Sequence, residues 1–300
     1  MSTRRKALIG AGVYLVIVIA IAALFGSEGK NEEFQPQNEF KLEPWVELKL
    51  GPLDMSINKA VLYLFLASVL TIGAMTYIAK RMTDKPNRVQ TAVEAAYDLT
   101  RNNIAGGNMD RKMALRWFPF VATLFFFIWF SNMIGYIPLP VNTEETVSIG
   151  GFDLPAFAIY AATANLSIPL MLTLLVFFAY QIEGVRAKGF VGYVKGWIPA
   201  GTPKGLKPVL FVIEVISQFV RIVSLSVRLF ANILAGHLLI LFMGGGLAVI
   251  LGLAALGAVT LPIAVAFFIF EVGLVATLQA FIFATLTSIY FGEATAAEGH

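Results

Sequence analysis

Residues 209–246 read VLFVIEVISQFVRIVSLSVRLFANILAGHLLILFMGGG, and the chain stays apolar beyond them. Between Val209 and Val259 the only charged side chains are Glu214, Arg221 and Arg228. A single helix over that run would be roughly 75 Å long, against a hydrocarbon core of about 30 Å. One upright span cannot hold it. The run therefore predicts a long, tilted helical hairpin with arms at about 209–245 and 248–290, bent at the triple glycine Gly244–Gly246 and broken again at Pro262.

The rest of the chain has the same character. Of 300 residues, 58% are hydrophobic and 14% charged, and the mean hydropathy is +0.76. A soluble domain carries about 25% charged residues. Further apolar stretches lie at about 7–25, 59–79, 117–138 and 159–180. Each is far longer than the roughly ten alternating residues of a barrel strand, so about six membrane helices in an all-α polytopic protein are expected. Loops alternate in charge. Residues 1–6, 80–116 and 181–207 together hold 16 of the 22 Lys and Arg, whereas 26–57 and 139–158 are mainly acidic. The positive-inside rule assigns the basic loops, and with them both termini, to the cytoplasm.

These assignments divide the chain into an N-terminal membrane anchor (1–25), an external polar segment (26–58), a membrane domain (59–293) and a cytoplasmic tail (294–300). A cleaved signal peptide is the alternative reading of the first 25 residues. Residues 86–104, PNRVQTAVEAAYDLTRNNI, carry Val89, Val93, Ala96 and Tyr97 at helical spacing and predict an amphipathic cytoplasmic helix. The composition also excludes several functions. With no cysteine and two histidines, one of them His300, no metal site or disulfide framework is expected. A net charge of +3 is too small to suggest nucleic acid. No G-x-x-x-x-G-K loop is present, so no nucleotide chemistry or cofactor is expected on this chain.

A charged side chain at the bilayer centre costs roughly 2.5–3.5 kcal/mol on insertion scales. At 100° per residue, Glu214, Ser217, Arg221, Ser224, Arg228 and Asn232 fall on one line of the first arm. His237 lies about 180° around from Arg228. The second arm carries Glu271 and Gln279, with Thr277, Thr285 and Ser288 near them. Glu271 and His237 belong to the same, external end of the hairpin. Arg221 and Glu214 also suit an interfacial position with their charges reaching the headgroups. A structural ion pair for Arg228 would need Glu214, about 21 Å away along a helix, or Glu271 on the far side.

SLSVRLFANI (224–233) followed by AGHLL (235–239) closely resembles the arginine region of subunit a of F-type ATP synthases. EVISQFVRIVSLSVRLFAN (214–232) resembles that family's penultimate membrane helix, and LQAFIFATLTSIYF (278–291) its last. FFFIWFSNMIGYIP (125–138) and ANLSIPL (164–170) resemble earlier segments in the same order. The resemblance spans about 55–293.

It implies a membrane stator pressed against a rotating c-subunit ring, with b-type peripheral stalk subunits and the remainder of the complex as partners. Two aqueous half-channels would meet the ring's carboxylates, with Arg228 between them. Arginine suits that position because its guanidinium stays protonated at any accessible pH. By the same resemblance Asn232 is a polar neighbour of the arginine and Gln279 packs beside it. Glu214, Ser217 and Ser224 line the cytoplasmic half-channel, and His237 belongs to the external one with an acid partner on the last helix. The family pattern puts that acid seven residues before the glutamine, at Val272. Glu271 is eight before, turned by about 100°. Either an irregularity near Gly273 compensates, or the pairing with His237 is looser. A bacterial cytoplasmic membrane is the expected location. The competing reading, a secondary transporter binding an anion at Arg228, calls for internal repeats that the sequence lacks.

Overall fold

The computed structural model describes residues 5, 12–14, 16–17, 19–20, 39–50, 53–83, 85–142, 146–149, 152–198, 201–246, 248 and 254–296. Most of the expected anchor, much of the external segment, the turn of the hairpin and the last four residues lie outside this set.

Helices carry the architecture. α1 (Lys59–Arg81) starts where the Asn58 side chain accepts a hydrogen bond from the Val61 amide at 3.2 Å, an N-cap that satisfies one free backbone donor. α2 (Arg88–Asp98) is capped in the same way by Asn87 and continues through a wide π turn over Leu99–Ala105. α3 (Arg111–Gly135), α4 (Ser167–Lys195) and α5 (Lys207–Leu241) follow. α6 (Ala254–Phe270) and α7 (Ala276–Thr295) are joined by a second wide turn, Glu271–Val275. Among the described residues five helical segments are long and apolar enough to cross a membrane: Lys59–Arg81, Arg111–Gly135, Ser167–Lys195, Lys207–Gly246 and Val259–Thr295. The fold is that of an all-α polytopic membrane protein.

α7 is the central element, packed along α3 and α4. Its small residues Ala276, Ala280 and Ala284 are buried and allow the close approach that helix pairs in lipid depend on. α5 leans on α4, and α1 sits at the periphery against α3. Leu225, Leu229 and Ile233 of α5 join Phe125, Ile128 and Phe283 in the core. The N-terminal ends of α3 and α5 and the C-terminal ends of α1 and α4 carry Arg111, Lys112, Lys207, Lys80, Arg81 and Lys195. This is the basic end of the bundle. The other end carries three short two-stranded ladders: β1 (Lys49–Leu50) with β2 (Leu53–Asp54), β3 (Leu139–Pro140) with β6 (Phe157–Ala158), and β4 (Thr146–Ile149) with β5 (Phe152–Pro155), all antiparallel.

Two expectations change. Pro262 does not break the second arm, because α6 runs through it. One missing amide costs a single ladder bond, and the interruption falls at Glu271–Val275 instead. The apolar stretch expected to begin a helix at 159 forms a 3-10 turn at Ala162–Ala164, and the spanning helix starts at Ser167. Tyr160, Ala161 and Ala162 are apolar because they are buried in the bundle. The amphipathic helix expected at 86–104 forms as Arg88–Asp98 and the wide turn that follows it. Ile104 and Ala105 at its end are buried in the main core, and Ser288 of α7 donates to the Ile104 carbonyl at 2.8 Å, although Val89 stays exposed. At the first bend, the long helix ends in a wide turn over Phe242–Gly246, as the triple glycine predicts.

Candidate ion-translocation site

Arg228 lies near the middle of the Lys207–Gly246 span, turned about 100° away from the buried face of Leu225, Leu229 and Ile233. Its side chain is exposed. Among the described residues its one close polar contact is a long one, Nη2 to the Ser224 hydroxyl at 3.5 Å. Among the described residues no carboxylate reaches it: Arg221 takes Glu293 and approaches Glu214, and Glu271 faces elsewhere. Asn232 and Ser224 are exposed on the same face, and Ser217 is half-buried two turns beyond Ser224 toward the basic end. A permanent cation thus stands at mid-span, on an open helix face, with no counter-charge among the described residues.

One turn beyond it, a cleft of about 410 Å³ opens between α5 and the second arm, lined by Asn232, Gly236, Glu271 and Gln279 among apolar neighbours. Three of the sequence-derived site residues therefore share one space. Gln279 is buried there, but among the described residues no hydrogen bond joins it to Arg228. Glu271 reaches the cleft through the wide turn Glu271–Val275, which contains Gly273. A π turn admits one extra residue into a helix. This offsets the one-residue displacement of Glu271, and the irregularity is the reason the acid faces α5.

The carboxylate of Glu271 rests against the bare Cα of Gly236, where a Cβ would overlap it. Its Oε2 accepts a hydrogen bond from the Tyr136 hydroxyl at 3.2 Å. The Tyr136 ring in turn stacks on His237, with centroids 4.5 Å apart and planes at 30°. His237 is fully buried. Its Nδ1 lies 3.0 Å from the Ile233 carbonyl and its Nε2 3.2 Å from the Gly135 carbonyl. Among the described residues His237 and Glu271 form no direct ion pair. Both are joined through Tyr136. Phe40, from the segment ahead of α1, meets the imidazole edge-on, at 6.4 Å.

Toward the basic end a second cavity, of about 170 Å³, is walled by α4, α5 and α7. Arg221 Nη1 donates to Glu293 Oε2 at 2.6 Å, its other nitrogen lies 4.0 Å from Glu214, and its guanidinium sits 5.0 Å from the Tyr290 ring. Gln218 links this group to α4, donating to Glu214 Oε1 and accepting from the Tyr180 hydroxyl, both at 2.8 Å. Glu214 and Arg221 are thus half-buried and joined in one network.

Over residues 61–292 the sequence matches the model of the family described as ATP synthase A chain. The chain belongs to that family. Among its curated relatives is the ATP synthase subunit a of Rubrobacter xylanophilus, 36% identical over 85% of this chain and 91% of that protein. Those of Hyphomonas neptunium, 31% identical over 88% and 97%, and Parvibaculum lavamentivorans, 34% identical over 86% and 92%, are similar along nearly the whole length. Family membership makes the chain a membrane component of an ATP synthase complex, and its spans make it a multi-pass one.

Several site residues carry no signal in the residue-by-residue reading of the hairpin. Trp129, Asn132 and Tyr136 share one face of the α3 end, at i, i+3 and i+7. Trp129 Nε1 donates to Thr277 Oγ1 at 3.1 Å. Asn132 donates to the Ala276 carbonyl at 3.2 Å and accepts from Thr163 at 2.7 Å, bracing α7 just after its wide turn. Their spacing is visible in FFFIWFSNMIGYIP and is the signal that identifies them. Gln218, Tyr180 and Glu293 had no comparable signal, because only the packing of α4 and α7 on α5 brings them together.

Proposed function

We propose that this chain is the membrane stator of a proton-translocating ATP synthase, with no nucleotide chemistry of its own. It provides two half-channels and the fixed charge between them. The carrying observation is Arg228: a mid-span guanidinium on an open face, with no carboxylate in reach among the described residues. Such a charge calls for an external anion. A carboxylate on each subunit of a c-ring passing that face supplies one. Arg228 holds the arriving carboxylate in its charged form, which favours proton release, and separates the two aqueous paths.

Asn232 and Gln279 line the route next to Arg228, and Glu271 and His237 handle protons at the external end. Glu214, Ser217 and Ser224 belong to the route at the basic end, which the positive-inside rule makes cytoplasmic. The ring, b-type stalk subunits and the rest of the complex are the partners, in a bacterial cytoplasmic membrane. Residues 1–25 act as an anchor, 26–58 as an external segment, 209–290 as the ion-translocating hairpin within the 59–293 domain, and 294–300 as a cytoplasmic tail. The transporter alternative has no support in the family match.

The test is ATP-driven proton pumping into inverted vesicles bearing the assembled complex, with Arg228→Ala beside wild type. Loss of pumping in an intact complex is expected. Pumping near the wild-type rate would remove Arg228 from the mechanism and this reading with it.

A further inference from the structure

Resting on that reading, we propose that Tyr136 is the positioning residue of the external proton site, joining Glu271 to His237 without a direct ion pair. Its hydroxyl holds the carboxylate and its ring face holds the imidazole. Four features of the site converge on this role.

First, Glu271 has a defined seat. The carboxylate fits only because residue 236 has no Cβ, and the wide turn at 271–275 aims it there. The Tyr136 hydroxyl is the donor that keeps it in place. Second, His237 cannot turn toward the acid. Each ring nitrogen lies at hydrogen-bond distance from a backbone carbonyl, Ile233 on its own helix and Gly135 on α3. Carbonyls only accept, so the neutral ring can donate to one of them and the imidazolium to both. Third, the stacked phenol occupies the ring face between the two groups. A phenol has an ordinary pKa near 10, so Tyr136 keeps its proton at neutral pH and acts as a fixed dipole. Fourth, Tyr136 follows Gly135 directly, so one short stretch of α3 supplies both the carbonyl and the ring that immobilise His237.

The remaining groups around the site are few. On the side of Phe40 lies Tyr160, 6.2 Å away, with the Lys59 ammonium 5.2 Å from the Tyr160 ring and bonded to the Glu39 carbonyl at 2.6 Å. From α5 come Asn232 and His237, from the second arm Glu271 and Gln279, and from α3 Tyr136. Protonation of Glu271 from the cleft changes the charge felt through Tyr136 by His237, and the reverse holds equally. The two groups titrate as a pair whose coupling the phenol sets.

The test uses the whole complex in proteoliposomes and follows ATP synthesis while the pH on the external face is varied at constant total driving force. Tyr136→Phe retains the stack and removes the hydroxyl. Loss of a hydrogen bond to a charged group corresponds to a change of about tenfold, so a rate several-fold below wild type and a displaced external pH profile are expected. Tyr136→Leu, lacking both contacts, is expected to fall further. A Tyr136→Phe complex with wild-type rate and profile would overturn the inference, as would a lowered rate with an unmoved profile, which marks a merely structural role. Arg228→Ala is run alongside: if it still supports synthesis, the failure lies in the stator reading and not in Tyr136. Should Tyr136→Leu not assemble, the Phe variant alone decides.

Discussion

The Glu271 carboxylate occupies the space where residue 236 would carry a side chain, one position before His237. The acid on the last arm and the imidazole on the long helix are therefore organised by a glycine and a tyrosine, not by contact with each other. This relationship makes Gly236 part of the site although it has no chemistry of its own.

Gly236→Ala should disable transport more than it destabilises the protein. The clashing atoms are the free end of a long side chain, which can swing away, so a stability change below about 1 kcal/mol is expected, under the usual range for overpacking. Pumping should fall at least several-fold because Glu271 leaves its donor. Thermal unfolding of the detergent-solubilised complex and vesicle pumping, measured on the same preparation, check both halves. A large loss of stability with normal pumping per assembled complex would refute the expectation.

Gly292→Ala should behave in the opposite way. Its Cβ would overlap the Asn108 carbonyl oxygen, a backbone atom that cannot move without shifting residues 104–108 off α7. A cost of about 1–3 kcal/mol in stability is expected, with pumping in the surviving complexes nearly normal. The same two measurements distinguish it from Gly236→Ala.

Glu183 is 4% exposed and bonded to Arg116 at 2.6 Å, with Arg186 at 3.7 Å, while both arginines remain mainly in contact with solvent or lipid headgroups. The two ends of this pair are unequal. Arg116→Ala strands a buried carboxylate and should cost about 3 kcal/mol. Glu183→Gln leaves only exposed cations behind and should cost about 1 kcal/mol or less. Equal losses in thermal stability would show that burial does not govern this pair.

Arg221 and Glu293 tie α5 to the end of α7 across the basic-end cavity. The pair is partly exposed, so each single neutralisation should change stability by about 1 kcal/mol at most. We expect pumping to drop by a larger factor, since Glu214 and Gln218 share the same network. Exchanging the charges, with Arg221→Glu and Glu293→Arg together, should recover part of the activity lost in either single variant. A double variant no better than the worse single one would count against a pairing role.

Much of this protein was legible before any coordinates, and the reason is the solvent. In hydrocarbon, backbone groups must be satisfied within the helix, so apolar length alone announces a span. The run after Val209 shows hairpin, bend and stranded arginine without any neighbour, because the cost of a charge in lipid is a property of the residue itself. The stripe Glu214, Ser217, Arg221, Ser224, Arg228 and Asn232 follows from helix periodicity in the same way. Tertiary structure decided what periodicity does not encode. Whether Pro262 or Gly273 interrupts the second arm depends on how the arm packs on α3 and α5. Residues 160–164 are buried by neighbours, a fate that composition cannot distinguish from burial in lipid. The stripe divides into an Arg221 with carboxylate partners and an Arg228 that has none among the described residues, because α7 delivers Glu293 to the first. Likewise, Tyr136 lies between His237 and Glu271 because three segments far apart in the chain meet there, and only packing brings them within hydrogen-bond reach.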